Sequence, residues 1–315
     1  MLGTGYLRVA LLFFAFTLAS AQVKIVHTND DGWAVANIRA QNTALVTAGF
    51  NVRLYVVLSA PADNESGTGS SDAEPEPLGS DGCQFESCPP FAPAAGSDPD
   101  NARFNYDSSF PVTAIRFGIQ TAASPFFDDT GPDLVVSGPN VGNKRGTGVL
   151  NSGTVGAAIE AAKEGFPSIA FSGSGGAIVS FTTLSQPSSS TTTANVFASI
   201  GLKFVQALLA QQVSVSSPIL PKNVSPNVNY PAATGACINP DAFSFVLTRI
   251  NTASSNTPTD VDTCGTNRLP TESSTVAQNG CFVSLSVTNA TTKGDVDSAT
   301  QAFVLDRLGD FLTCA

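Results

Sequence analysis

The sequence predicts an α/β protein built on a Rossmann-like, doubly wound sheet in the three-layer α/β/α arrangement. Three observations predict it. After an apolar leader the chain runs strand, helix, strand at the spacing of a parallel βαβ unit. Further short apolar runs then alternate with segments of helical periodicity. Several of those apolar runs end in clusters of Asn, Asp, Ser and Gly, where a doubly wound sheet keeps its ligand crevice. A C-terminal β-hairpin and helix are expected as an extension of that core.

Residues 1–21 read as a secretory signal peptide. Arg8 precedes an apolar run at 9–18, and Ala19-Ser20-Ala21 supplies a small-residue cleavage site. The run is too short to span a bilayer, and no later stretch reads as long and apolar enough to do so. A secreted protein without a membrane anchor is therefore expected. The core is placed at 22–212. VKIVHT (23–28) is its first strand, and the pattern over 35–48 is helical, with Ile38, Leu45 and Val46 on one face and Gly49 as C-cap. NVRLYVVLSA (51–60) is a second buried strand. The Gly-, Pro- and Ser-rich stretch over about 67–100 reads as a long surface excursion tied by a disulfide. A helix at 112–122, the strand PDLVVSG (132–138), a helix over 152–165 opened by Ser152 and closed by Gly165, the strand PSIAFSG (167–173) and a helix at 192–211 follow. In the extension, 213–315, the β-rich runs FSFVLTRI (243–250) and CFVSLSVT (281–288) are the arms of the expected hairpin. The last helix, 297–312, carries Ala302, Leu305, Leu308 and Leu312 as one stripe.

Six cysteines in an exported chain favour three disulfides. Cys83 and Cys88 are close enough to pair with each other. CQFESC has a zinc-site reading too, but no second Cys or His pair completes it. Cys237, Cys264, Cys281 and Cys314 leave three pairings open. Sequons at Asn64, Asn223 and Asn289 suit export. With 13% charged residues and a net charge of −10, the surface repels phosphate backbones, so a nucleic-acid-binding module is not expected.

Candidate chemistry gathers at three strand ends: HTNDDG (27–32), SAPADNESGTGSS (59–71) and SGPNVGNKRGTGVLNSGT (137–154). A hairpin at Asp30-Asp31-Gly32 would need an alternating strand after it, and a helical period follows instead. Two adjacent carboxylates repel one another unless a cation holds them. A turn at Gly32 lets both converge, and oxygen-only ligands suit Mg²⁺, Ca²⁺ or Mn²⁺. Spacing alone leaves a bland loop equally open. Ser152-Gly153-Thr154 opens a helix, which is either an ordinary N-cap or a phosphate site. Lys144-Arg145 is the only adjacent basic pair and lies in the loop before it; the spacing is not that of a Walker A loop. His27, the sole histidine, is expected to be packed and hydrogen-bonded, and no G-x-S-x-G elbow supplies a nucleophilic serine. Trp33 suits either the cleft mouth or the core.

Taken together, these residues resemble the SurE family, the survival-protein phosphatases and nucleotidases. The likeness rests on TNDDG (28–32), the spacing from Ala60 to Ser66, PDLVVSGPNVG (132–142) and NSGTVGAAIEAAKEGFPSIAFS (151–172). NVNYP (227–231) and GCFVSLSV (280–287) add to it. The resemblance implies a Rossmann-like core with a C-terminal extension used in oligomerisation, hence a homo-oligomer. It also implies a divalent cation, Mg²⁺ or Mn²⁺, held by Asp30, Asp31, Ser66 and Asn140, with Asp30, Asp31 and Asn140 as the catalytic set. Asn29, Ser152, Gly153 and Thr154 match positions that line the phosphate pocket. The chain departs from the family pattern at Pro139, at Lys144, where an Asn is usual, and at Asn151, where a Tyr is usual. A lysine at 144 either adds a charge for phosphate or displaces a neutral contact. The leader and the cysteines are similar to an exported, fungal-type branch with acid-phosphatase-like activity. Because Asn64-Glu65-Ser66 overlaps the matched serine, a glycan on Asn64 is expected to be absent or to point outward.

The function implied is a secreted, metal-dependent phosphomonoesterase of the acid phosphatase or 5′- or 3′-nucleotidase type. It would hydrolyse small phosphorylated substrates, such as nucleoside monophosphates, simple phosphate esters or polyphosphate, by a metal-activated water. The alternative, motivated by Lys144 and Asn151, is a non-catalytic protein that keeps the fold and binds a metal or phosphate ligand.

Overall fold

A computed structural model describes residues 21–48, 52–210 and 218–315. Residues 1–20 of the expected signal peptide (1–21), the Gly49 cap and the boundary at 212/213 lie outside the described residues, and Ala21 is the first residue of a strand. The chain begins β1 (Ala21–Thr28), α1 (Ala36–Thr47) and β2 (Val52–Pro61), with β2 parallel to β1. After the excursion come β3 (Ala95–Asp98), β4 (Asn101–Asp107), α2 (Pro111–Phe117) and α3 (Ser124–Phe127). The second half of the core is β5 (Leu134–Val141), α4 (Gly153–Lys163), β6 (Ser168–Gly173) and α5 (Ser189–Ala210). The extension adds β7 (Val224–Tyr230), β8 (Ser244–Thr248), α6 (Glu272–Val276), β9 (Phe282–Asn289) and α7 (Ser298–Leu308).

Among the described residues all nine strands join one sheet in the order β3-β4-β2-β1-β5-β6-β7-β9-β8. From β4 to β7 every neighbouring pair is parallel. Strand order runs outward from β1 through β2 to β4 on one side and from β5 through β7 on the other, so the switch point lies between β1 and β5. Successive residues point to opposite faces, and both faces are dry. Ile25, Val56 and Leu134 pack with Leu45 of α1 and Phe197, Ile200 and Phe204 of α5. Their neighbours Val26, Val57 and Val135 pack with Ile115 of α2 and Ala157 and Ala161 of α4. Two apolar layers on one sheet are the doubly wound fold that the sequence predicted.

Several elements differ from the sequence expectation. β8 and β9 are not a hairpin: they pair in parallel, and β9 is antiparallel to β7. Residues 249–281, with α6 among them, supply the long crossover that a parallel pair requires. The excursion is not all surface loop, since β3 forms the sheet edge, and just beyond it β4 pairs with β2. β4 buries Asn105 and Asp107, so its hydropathy did not mark it as a strand. The expectation of no later membrane-length segment is also corrected: α5 is long and apolar enough, by length and composition, to cross a bilayer. Its apolar side is spent inside the protein, against the sheet and α1. The open cysteine question resolves as Cys83–Cys88, Cys237–Cys281 and Cys264–Cys314.

Candidate active site

The turn after β1 carries both aspartates into the switch-point crevice. Gly32, at φ +110°, takes a backbone conformation closed to most side chains and redirects the chain into α1. Asn29, Asp30 and Asp31 are all fully buried. Asp31 Oδ2 accepts from the Val141 N–H at 2.8 Å and from Asn29 Nδ2 at 3.3 Å, while Oδ1 accepts from Ser66 Oγ at 3.2 Å. Asp30 Oδ1 accepts from the Thr154 hydroxyl at 2.5 Å. Four segments therefore meet at the pair: the β1 turn, the loop after β2, the end of β5 and the first turn of α4.

Burial dominates the electrostatics. It pushes Asp31 up to about 7, with the neighbouring Asp30 charge adding to the rise. Asp30 is raised for the same first reason, opposed by the Thr154 hydroxyl and the positive charge of Lys144. The positive end of α4 also faces Asp30, since Gly153 is the first residue of the helix and packs directly against it. A Cβ on Gly153 would stand 2.8 Å from Asp30 Cβ. Ser152 caps this helix, its Oγ accepting from the Val155 N–H at 3.1 Å.

Asn140, near the end of β5, is fully buried and donates through Nδ2 to Gly142 O at 2.5 Å. Its Oδ1 has no partner, nor do Asp30 Oδ2 and Asn29 Oδ1. Such orphaned acceptors beside two ionisable carboxylates are costly without a positive charge among them. The residues therefore fit a hard divalent cation: the orphaned donors are all oxygens, and Ser66 keeps its lone pairs while it donates to Asp31. Among the described residues no group of three or more His, Cys, Asp or Glu side chains has a metal-binding arrangement. A cation here would rely on the neutral oxygens of Asn140 and Ser66 beside the aspartates.

Ser66 is exposed at the rim, and the Asn64 side-chain oxygen folds back to accept from the Ser66 N–H at 3.0 Å and its hydroxyl at 2.7 Å. Lys144 is half-buried, and its backbone is tied to β7: Asn229 Oδ1 accepts from its N–H at 2.7 Å, and Asn227 Nδ2 donates to its carbonyl at 2.8 Å. His27 is fully buried, with Nε2 2.7 Å from Gly138 O, and burial lowers it to about 4. The neutral ring donates to that carbonyl, the packed role expected of it. Trp33 belongs to the core, 5.2 Å from the Tyr106 ring. Sequence reasoning missed Asn227, Asn229 and Glu272, which surround the Lys144 loop. The only signal for any of them was NVNYP (227–231), which has no chemistry of its own until β7 lies beside β6.

A family model described as "Survival protein SurE" matches residues 25–257. The chain belongs to the SurE family. One relative, an acid phosphatase of Yarrowia lipolytica, is 36% identical over 229 residues, which are 70% of this chain and 62% of that protein. Another, the 5′-nucleotidase SurE 1 of Chlamydia caviae, is 35% identical over 153 residues, 49% of this chain and 48% of its own length. The matched segment thus spans under two thirds of these relatives. The crystal structure of the SurE protein from Aquifex aeolicus covers 91% of this chain and all of its own, with a TM-score of 0.56 and 23% identity, and supports the fold.

Proposed function

We propose that this SurE-family chain is a secreted, metal-dependent phosphomonoesterase of the acid phosphatase or nucleotidase type. The observation that carries the reading is the buried Asp30–Asp31 pair, flanked by the unpartnered Asp30 Oδ2 and Asn140 Oδ1 at the switch point of the sheet. The names of its relatives, acid phosphatase and 5′-nucleotidase, support phosphate monoesters as substrates. Asp30, Asp31, Ser66 and Asn140 would hold the cation, Mg²⁺ or Mn²⁺. When bound there, it would supply Lewis acidity toward a phosphate oxygen and lower the pKa of a water.

The protein's own groups prepare the site. Val141 N–H, Asn29 and Ser66 orient Asp31, and Thr154 fixes Asp30. These bonds, with the α4 dipole and Lys144, favour the ionised carboxylates against the burial that opposes them. Lys144 and the Ser152–Thr154 turn would bind the phosphate dianion, and Asn29 would line the same pocket. Export is supported by three disulfides, which persist in oxidising compartments. Self-association through the extension belongs to the same proposal and is read from the molar mass in solution.

The test is phosphate release from p-nitrophenyl phosphate and from nucleoside 5′- and 3′-monophosphates, with Mg²⁺ or Mn²⁺ and with EDTA. Cation-dependent release on at least one ester is the expected result. Cation and phosphate binding without turnover would move the assignment to a non-catalytic binding protein.

A further inference from the structure

Glu272 is a buried carboxylate that the proposed chemistry does not use. It is fully buried at the start of α6, far along the chain from the strand ends that form the site. Its Oε2 accepts from the Gly146 N–H at 3.0 Å, and its Oε1 accepts from Asn227 Nδ2 at 2.7 Å. The Ser286 hydroxyl of β9 is a third partner. All three partners are neutral, and burial pushes the carboxyl up to about 7. A carboxylate held dry without a cation is destabilising by itself, so its position calls for a reason other than stability.

The contacts supply that reason. Asn227 donates through the same Nδ2 to Lys144 O at 2.8 Å, and Asn229 takes the Lys144 N–H and also donates to Lys144 O at 3.1 Å. One residue earlier, Asn143 donates to Tyr230 O at 3.0 Å. Asn143 and Lys144 are thus both held to β7, and Glu272 closes the far end of the turn at Gly146. The near end is the Val141 N–H on Asp31.

We propose that Glu272 is a positioning residue for the phosphate-binding loop, acting through the Gly146 N–H and the Asn227 amide to aim Lys144 at the aspartate pair. The assignment rests on the reading of Lys144 as a phosphate ligand. It gives the C-terminal extension a part in the site, because α6 and β9 carry the clamp. Glu272→Gln keeps the shape but replaces one accepting oxygen by a donor, so it cannot accept from both Gly146 and Asn227.

Two measurements decide it, both on the full chain with Mg²⁺ in excess. Amide hydrogen exchange in Glu272→Gln should accelerate about tenfold at 143–146, while peptides from β1 and α5 keep the parental rates. Inorganic phosphate, followed by calorimetry and as a competitive inhibitor, should bind about tenfold more weakly to Glu272→Gln and to Lys144→Met alike. The double variant should be within about twofold of Lys144→Met alone. If Glu272→Gln does not fold, Glu272→Asp, which retracts the carboxylate by one methylene, carries the same expectation. Parental exchange at 143–146, independent multiplying losses in the double variant, or no phosphate binding by the parent would each overturn the assignment. A parent that binds phosphate but turns over no ester would defeat the phosphatase reading while leaving both measurements of Glu272 decisive.

Discussion

Two buried carboxylates side by side should make the cation-free protein less stable than a variant that lacks one of them. Asp31 is fully buried, and burial, reinforced by Asp30, raises its carboxyl from 3.8 to about 7. At about 1.36 kcal/mol per pH unit, holding it ionised above pH 7 costs about 4 kcal/mol. The group titrates above its unfolded value, so the cost is absent below about pH 4, grows with rising pH and is complete above pH 7. In Asp31→Asn the new carbonyl can take the place of Oδ2, accepting from Val141 and Asn29, and the amide can donate to Ser66 Oγ, whose single proton, shared between Asp31 and Asn64 in the parent, then goes wholly to Asn64. The rise to about 7 is already net of those charge-assisted bonds, so the neutral amide keeps a gain of about 4 kcal/mol. At pH 8 in EDTA, Asp31→Asn should therefore melt about 6–8 °C above the parent by circular dichroism. At pH 4 the difference should vanish, and saturating Mg²⁺ should give the parent the advantage. A variant less stable than the parent at pH 8 in EDTA, or an offset that ignores pH, would refute the reasoning.

Other perturbations follow from the same contacts. Lys144→Met should raise KM for a phosphate ester about tenfold, because one cation facing a dianion is lost, and steady-state kinetics at low salt read this. Gly153→Ala brings a Cβ within 2.8 Å of both Asp30 Cβ and Pro111 Cγ, so kcat/KM should fall at least about tenfold while far-UV dichroism stays parental. Arg249 pairs with Asp260 at 2.8 Å and Asp295 at 3.4 Å in a nearly closed site of the extension. Arg249→Met leaves both acids without that partner and should lower stability in urea by about 3–5 kcal/mol.

Much of this molecule was legible in its sequence because periodicity is local. The near-continuous apolar runs of β1, β2 and β5, buried on both faces, and the capped start of α4 were written in a few residues each. The aspartate pair was legible as well, since the helical period after Gly32 excluded a hairpin. The pairing of β8 with β9 was not, because two β-rich runs carry no mark of their relative direction, and only the crossover through α6 sets it. β4 hid behind Asn105 and Asp107, polar residues that become buried only beside β2. Glu272 was invisible for a related reason: a single Glu in a turn-rich stretch gains its meaning from Gly146 and Asn227, which lie far away in the chain.

The most direct test is phosphate release by the purified protein before EDTA, after EDTA, and after Mg²⁺ or Mn²⁺ is returned, alongside Asp30→Asn. The expected result is turnover that EDTA abolishes and the cation restores, and a loss of at least about a thousandfold in Asp30→Asn. Turnover that survives EDTA, or an Asp30→Asn variant as active as the parent, would contradict the proposed mechanism at its centre.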